Sequence, residues 1–299
     1  MRSFAADLKG FLADIKLEHS LFALPFALIG ALLACQAGIY AGTRNLPYPS
    51  RHELLYLVIA MVAARSAAMG FNRVVDRRID ARNPRTAGRS LAAGRARATT
   101  YWLLIAFGSA LTWLAAGWFN PLARRCAPLA LAVLFFYSLT KRFTALCHFF
   151  VGLALAISPL AAWVALCGKL PVASPPYLLS AAVLLWVAGF DVLYATLDLE
   201  FDRRERLHSI PAALGLHRAL WVARLCHIGT AVCLLAFYVV TSGLTVGFGL
   251  ALLLALGLLT YQHLLVRPDD LGRVNAAFFT VNAVLGLILL VGATIDWVL

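Results

Sequence analysis

The chain has 299 residues, of which 62% are hydrophobic and 13% are charged, and its mean hydropathy is +0.82. Soluble domains are about 45–50% apolar and about 25% charged, so the composition excludes a soluble globular protein, a disordered chain and a disulfide-stapled scaffold. The net charge is +12. Because the Lys and Arg residues are concentrated in a few loops between apolar stretches, we expect contact with membrane lipid or a phosphorylated substrate and no nucleic-acid partner.

The apolar stretches predict about nine transmembrane helices, since about 20 helical residues cross the hydrocarbon core of a bilayer. Their uniform apolarity excludes a membrane barrel, so the predicted fold class is an all-α bundle around a central cavity, in two pseudo-repeated halves and one domain, 1–299. Residues 1–19 form an amphipathic segment without a signal peptide. The predicted spans are 20–40, 52–75, 99–118, 122–139, 143–167, 177–197, 216–241, 243–265 and 274–298.

The charges between the spans predict the orientation. With the N-terminus inside, the inner segments carry 19 Lys and Arg residues and the outer segments carry 5, while Arg65 and Arg224 lie within spans. An excess of basic residues marks the cytoplasmic side. We therefore expect a cytoplasmic N-terminus and cytoplasmic loops at 72–98 and 198–215.

Two groups of acidic and amide side chains lie at the inner ends of the second and sixth predicted spans. The first motif, 72–80, contains Asn72, Asp76 and Asp80, and the second motif, 191–202, contains Asp191, Asp198 and Asp202. Positions four and eight residues apart share one face of a helix, so each motif is predicted to form one stripe. Asp76 and Asp198 are 122 residues apart, as are Asp80 and Asp202, which indicates one site in each half.

Stacked carboxylates destabilise a helix unless a cation lies among them. Carboxylate and amide oxygens are ligands of Mg²⁺, and phosphate oxygens complete its octahedron. The two motifs thus predict metal ions that bind a diphosphate; for either motif alone, a solvated and salt-bridged helix end is the alternative. The nearby cations are predicted to neutralise the diphosphate or to serve only as positive-inside residues; they are Arg85, Arg89, Lys141 and Arg142.

Arg65 and Asp191 lie within spans, where a charge is costly unless it is functional or paired. Two hypotheses stay open, a structural pair between them or contacts to an aromatic substrate. His148, His227 and His263 each stand alone in an apolar span and are expected to be satisfied core residues. The six cysteines are expected to be small buried side chains without disulfides.

These motifs, in their order and spacing, resemble the UbiA superfamily of intramembrane prenyltransferases, and within it the 4-hydroxybenzoate polyprenyltransferases. The resemblance also includes Arg85 to Arg89, and Tyr137 to Lys141 and Arg142. It implies an enzyme of the bacterial inner membrane that uses Mg²⁺ to transfer a polyprenyl chain from polyprenyl diphosphate to a small aromatic acid, in ubiquinone or menaquinone biosynthesis.

The resemblance also implies residue roles. The residues implied to hold Mg²⁺ are Asn72, Asp76, Asp80, Asp198 and Asp202, and these aspartates would be the catalytic residues. Those implied to bind the diphosphate are Arg85, Arg89, Lys141 and Arg142. Those implied to contact the aromatic substrate are Arg65, Asp191 and Tyr194.

Alternative functions remain at this point. The stretches Leu207–Pro211, Lys16–His19 and Phe22–Phe26 are similar to a sister branch of the superfamily, which prenylates 1,4-dihydroxy-6-naphthoate on the futalosine route to menaquinone. Haem O synthase and chlorophyll synthase share the first motif. A secondary transporter is the alternative from another class, although transporters place their charges near the bilayer midplane rather than at inner helix ends.

Overall fold

The computed structural model describes residues 4–15, 22–266 and 281–299, and within these ranges every regular element is helical. The helices are α1 (Phe4–Ile15), α2 (Leu24–Tyr40), α3 (Arg51–Arg82), α4 (Ala98–Phe119), α5 (Pro121–Thr140), α6 (Cys147–Cys167), α7 (Pro175–Ala195), α8 (Leu199–Arg204), α9 (Ile210–Leu214), α10 (Leu216–Val240), α11 (Val246–Leu265) and α12 (Asn282–Val298).

Seven helical segments of the described chain are long and apolar enough to cross a membrane, and α2 and α12 are shorter apolar helices of 17 residues. Together they fall on the nine predicted spans, and the protein is a multi-pass membrane protein. Helix α3 continues to Arg82, beyond the predicted end at residue 75. Residues 16–21 and 274–280, which include the predicted starts of the first and last spans, lie outside the described ranges.

One compact unit consists of residues 1–20 and 55–139 and contains α1, most of α3, α4 and α5. Its core places the ring of Phe11 edge-on to Tyr101, with 5.1 Å between centroids. Gly70 of α3 allows this approach, since a Cβ there would come within 2.7 Å of the Phe11 ring. Arg124, in the first turn of α5, lies 3.7 Å over the ring of Trp113. That cation–π contact accommodates a charge at the start of an apolar helix.

The other unit consists of residues 21–54 and 140–299. Helix α7 is its centre and packs against α6 and α10, while α2 packs against α6 and α12. A Cβ at Gly30 of α2 would come within 2.5 Å of the Pro159 backbone on α6. Small residues at such crossings let membrane helices approach closely, where dispersion forces hold them together.

The second motif does not follow one helical stripe, so that prediction is wrong. Helix α7 ends at Ala195, a 3₁₀ turn follows over Thr196–Asp198, and α8 begins at Leu199. The hydroxyl of Thr196 donates to the carbonyl oxygen of Leu193 at 2.6 Å. A Thr hydroxyl that binds a nearby carbonyl competes with the helical hydrogen-bond pattern, and 3₁₀ turns are frequent where an α-helix ends.

Candidate active site

The first motif lies on the continuous helix α3, as predicted. The amide Nδ2 of Asn72 donates to Oδ2 of Asp76 at 2.7 Å, which is the neighbour relation expected of residues four apart. One turn later, Asp80 is buried. Arg89 Nη1 lies 2.7 Å from both carboxylate oxygens of Asp80, and Arg73 Nη1 lies 3.5 Å from Oδ2. Two guanidinium groups therefore compensate the buried charge of Asp80.

The chain turns back after α3, so that Arg89 contacts Asp80 on that helix. The hydroxyl of Thr86 donates to the carbonyl oxygen of Asp80 at 3.1 Å, and the side-chain oxygen of Asn83 accepts from the backbone N–H of Arg85 at 3.0 Å. Asn83 and Thr86 are buried, whereas Arg85 is exposed. The sequence pattern identified Arg85 and Arg89, but it missed the two polar residues that shape their loop.

The second motif has a matching arrangement at Asp202, whose side chain is fully buried. Lys141 Nζ lies 2.8 Å from Oδ1 of Asp202, and the hydroxyl of Ser209 donates to Oδ2 at 2.8 Å. Burial alone would lower the pKa of Lys141, but the Asp202 carboxylate outweighs it and the pKa is raised. Asp198 is also buried. Each motif thus pairs its last aspartate with one of the cations expected at the diphosphate.

The carboxylate of Asp191 is bound to His148, which gives this intramembrane charge a partner on α6. The structural pair between Arg65 and Asp191 stays a hypothesis. Nδ1 of His148 lies 2.7 Å from Oδ2 of Asp191, and the backbone N–H of Ile210 donates to Nε2 at 3.2 Å. Because Nε2 accepts a hydrogen bond, the proton belongs on Nδ1, which donates to Asp191. Tyr194, one turn later on α7, packs against the apolar cluster that contains Leu193.

Buried His227 and half-buried His263 contact each other. Nδ1 of His227 lies 2.9 Å from Nε2 of His263, and Nε2 of His227 lies 3.3 Å from the carbonyl oxygen of Trp186. Both rings therefore have hydrogen-bond partners, as expected of satisfied histidines. The six cysteines are free and buried or half-buried, as predicted.

Arg65 lies on α3 about two turns before the first motif, and part of its surface is exposed. Tyr137 of α5 reaches the same stretch of α3, where its hydroxyl lies 3.6 Å from Sδ of Met69. Arg65 and the first motif thus lie on α3, and Tyr137 of α5 contacts the stretch of α3 between them, within one compact unit.

The donor atoms of the motifs suit a hard cation. Asn72 offers an amide oxygen and Asp76 and Asp198 offer carboxylate oxygens, which are the ligand types of Mg²⁺. Within the described ranges, no three His, Cys, Asp or Glu side chains form a closed metal-binding group. Two carboxylates or fewer per site, completed by water and phosphate oxygens, are the usual protein contribution to Mg²⁺ binding. The residues present therefore fit this metal.

Comparison with known proteins identifies the family. The model of the UbiA prenyltransferase family matches residues 23–284. The chain belongs to the UbiA prenyltransferase family. It is 32% identical over 252 residues to a 4-hydroxybenzoate octaprenyltransferase of Nitrosospira multiformis, with 83% of this chain and 84% of the relative covered. A relative with the same description in Nitrosomonas europaea is 28% identical over 298 residues, with 98% and 97% covered.

Solved structures of the UbiA family share the fold. An apo UbiA homolog from Aeropyrum pernix K1 is 32% identical, with a TM-score of 0.81 over 94% of this chain and 98% of that structure. A homolog from Archaeoglobus fulgidus bound to GPP and Mg²⁺ has a TM-score of 0.69 at 16% identity, over 95% of this chain and 99% of that one. The predicted family, the all-helical membrane fold and the prediction of a prenyltransferase enzyme are confirmed.

Proposed function

We propose that the chain transfers a polyprenyl chain from polyprenyl diphosphate to an aromatic acid of the 4-hydroxybenzoate type, in the biosynthesis of a respiratory quinone. The main support for this proposal is that each motif pairs a buried aspartate with a cation. Asp80 is paired with Arg89, and Asp202 is paired with Lys141. A departing diphosphate is a concentrated anion, and preorganised cations at the bond that breaks stabilise the charge that develops there. The similarity to 4-hydroxybenzoate octaprenyltransferases over most of the chain supports the substrate class.

Mg²⁺ bound at the motifs would supply further positive charge to the leaving diphosphate. We assign its ligands to the oxygens of Asn72, Asp76, Asp80, Asp198 and Asp202. Arg85, Arg89, Lys141 and Arg142 bind the diphosphate oxygens directly in this proposal. The apolar helices exclude water from the allylic cation, and the electron-rich ring attacks this cation and then loses a proton.

The aromatic acid is assigned to Arg65, Asp191 and Tyr194. Arg65 lies two turns from Asn72 on α3, so its guanidinium can bind the acceptor's carboxylate while the ring approaches the donor. His148 fixes the orientation of Asp191 through the 2.7 Å hydrogen bond. In this proposal Asp191 accepts a hydrogen bond from the ring hydroxyl and thereby increases the electron density of the ring.

A second acceptor, 1,4-dihydroxy-6-naphthoate, is favoured by the stretch Leu207–Pro211. In the structure this stretch adjoins the second motif, since the backbone N–H of His208 donates to the carbonyl oxygen of Lys141 at 2.8 Å and Ser209 donates to Asp202. The residues that resemble the branch specific for the second acceptor would therefore lie beside the groups proposed to bind the diphosphate.

The proposal includes the whole chain, 1–299, as one prenyltransferase domain in the bacterial inner membrane. It also includes a cytoplasmic N-terminus and cytoplasmic motifs, supported by the ratio of 19 inner to 5 outer basic residues. A cytoplasmic site would receive its water-soluble acceptor directly and its lipid-like donor from the bilayer.

The test is prenyl transfer by the purified protein, with polyprenyl diphosphate and each of the two acceptors, in Mg²⁺ or in excess EDTA. We expect product with one acceptor, no turnover in EDTA, and losses of at least ~10²-fold in Asp76→Ala and Asp198→Ala, as for other groups that stabilise transition-state charge. Glu200→Ala is the matched control, because this neighbouring carboxylate is 86% exposed and should leave the rate unchanged. Full turnover in EDTA would remove the metal from the proposal, and no product with either acceptor would refute the acceptor class.

A further inference from the structure

Helix α1 turns two carboxylates inward. Asp7 and Asp14 lie seven residues apart on one face of this 12-residue helix, and their exposed fractions are 0% and 8%. A buried carboxylate is strongly unfavourable unless it is hydrogen-bonded or paired. The hydrogen-bond partners of the two carboxylates therefore show which part of the chain α1 stabilises.

Asp14 holds the backbone that directly follows Arg89. Its Oδ1 accepts from the N–H of Ser90 at 2.9 Å, and its Oδ2 accepts from the N–H of Leu91 at 3.3 Å and from the hydroxyl of Tyr101 at 2.7 Å. The hydroxyl of Ser90 donates in turn to the carbonyl oxygen of Gly10 at 3.3 Å. One carboxylate thus fixes two consecutive peptide groups.

Asp7 holds the far end of the same loop. Its Oδ2 accepts from Nε of Arg97 at 2.6 Å and from the hydroxyl of Thr100 at 2.7 Å, and its Oδ1 accepts from the backbone N–H of Arg97 at 3.3 Å. The hydrogen bonds from Arg97 and Thr100 hold the pKa of Asp7 below its usual range. Gly10 lies between the two carboxylates, and a Cβ there would come within 3.0 Å of Ser90, so residues 90–97 run closely along α1.

We propose that α1 is a clamp on the arginine loop, 83–97, and that Asp14 is a positioning residue for Arg89. The contacts form an unbroken series, from Asp14 to the N–H of Ser90, and from the adjacent Arg89 to both oxygens of Asp80. This inference rests on the proposed role of Arg89 at the diphosphate. An arginine on a loop loses affinity for an anion when its backbone is free to move, because binding must then restrict that motion.

A helix that merely anchored the N-terminus would give a different result. Its loss would lower stability, yet it would change neither the accessibility of the arginine loop nor the affinity for diphosphate. The loop contains Arg85, Arg89, Arg95 and Arg97, so trypsin reports its opening without any need for turnover.

The experiment compares wild type with Asp14→Ala and Asp14→Asn in detergent, by trypsin cleavage in the arginine loop and by the Kd of inorganic diphosphate in Mg²⁺. Asp14→Ala removes three hydrogen bonds, from the backbone of Ser90 and Leu91 and from the hydroxyl of Tyr101. We expect cleavage at least fivefold faster and diphosphate binding about 10-fold weaker, which corresponds to about one hydrogen bond to a charged group. Asp14→Asn keeps the side-chain volume and one acceptor oxygen, so it should give smaller changes and serves if the alanine variant does not fold.

Asp296→Ala is the matched control. Asp296 also accepts from backbone N–H groups and a Thr hydroxyl, at Thr245, Gly247 and Phe248, but it belongs to the other compact unit. It should change neither readout. Wild-type cleavage and diphosphate affinity in a folded Asp14→Ala protein would overturn the clamp. If wild type binds diphosphate and forms no prenylated product, the proposed function fails while the clamp still stands on these two measurements.

Discussion

Lys141→Met tests the pairing of charges in the second motif. The Lys141 ammonium lies 2.8 Å from Oδ1 of Asp202, whose side chain has 0% exposure. Among the described residues, its loss leaves the buried carboxylate with the Ser209 hydroxyl as its remaining side-chain partner. Removal of one partner of a buried pair costs about 3–5 kcal/mol. The Ser209 hydrogen bond remains and the lysine side chain is 35% exposed, so water can reach the gap. We therefore expect a loss of about 3 kcal/mol.

Thermal unfolding in detergent measures this loss, and roughly 2–4 °C accompanies each kcal/mol for chains of about this size, so the midpoint should fall by at least ~6 °C. The double variant Lys141→Met with Asp202→Asn removes the stranded charge and keeps an acceptor for Ser209. It should recover at least ~1.5 kcal/mol relative to the sum of the two single changes, as coupled neighbours do. Glu200→Ala controls for the loss of a charge in this region. A wild-type midpoint for Lys141→Met, or strict additivity in the double variant, would refute the reasoning.

Three further predictions follow from the site and the topology. Arg65→Ala should raise the acceptor KM about 10- to 150-fold, because a charge-assisted contact of about 1.5–3 kcal/mol is lost. The donor KM should hardly change. An unchanged acceptor KM in a folded variant would falsify the assignment. Cysteine at Glu200, in a background without the six native cysteines, should react in intact cells only with membrane-permeant thiol reagents; labelling by an impermeant reagent would reverse the orientation. The pKa of Lys141 is raised by Asp202, so while Asp202 is ionised the contribution of Lys141 is fully present below pH 10.5, the ordinary lysine value, and is lost as pH rises through the higher folded value. The unfolding midpoint of Lys141→Met, followed against pH, should lack that loss.

Features that depend on local periodicity were predictable from the sequence. The spans follow from runs of apolar residues, and the first motif follows from a helical repeat that α3 maintains through Asp80. The hydrogen bond between Asn72 and Asp76 is its direct consequence. The same repeat failed at the second motif, because the hydroxyl of Thr196 binds the carbonyl of Leu193 and a 3₁₀ turn replaces the helix. The sequence period does not reveal such a local break in a helix.

Partners distant in sequence were not predictable, because helix packing alone brings them together. His148 and Asp191 are 43 residues apart, and Asp14 and Ser90 are 76 apart. An intramembrane charge does predict that a partner exists, but several groups could satisfy it. The sequence suggested Arg65 for Asp191 and did not suggest His148, which the packing of α6 against α7 brings to the Asp191 carboxylate.

The pseudo-repeat illustrates the same division between local and tertiary information. The equal offset of 122 residues locates Asp80 and Asp202, and in both halves burial of the last aspartate requires a cation. The cations come from different places in the chain: Arg89 follows Asp80 by nine residues in the loop after α3, whereas Lys141 precedes Asp202 by 61 residues in the loop before α6. A search for sequence repeats aligns the carboxylates and cannot align their cations. The two halves share the pairing of a buried aspartate with a cation. Any loop that packs within hydrogen-bond distance of the aspartate can provide this cation.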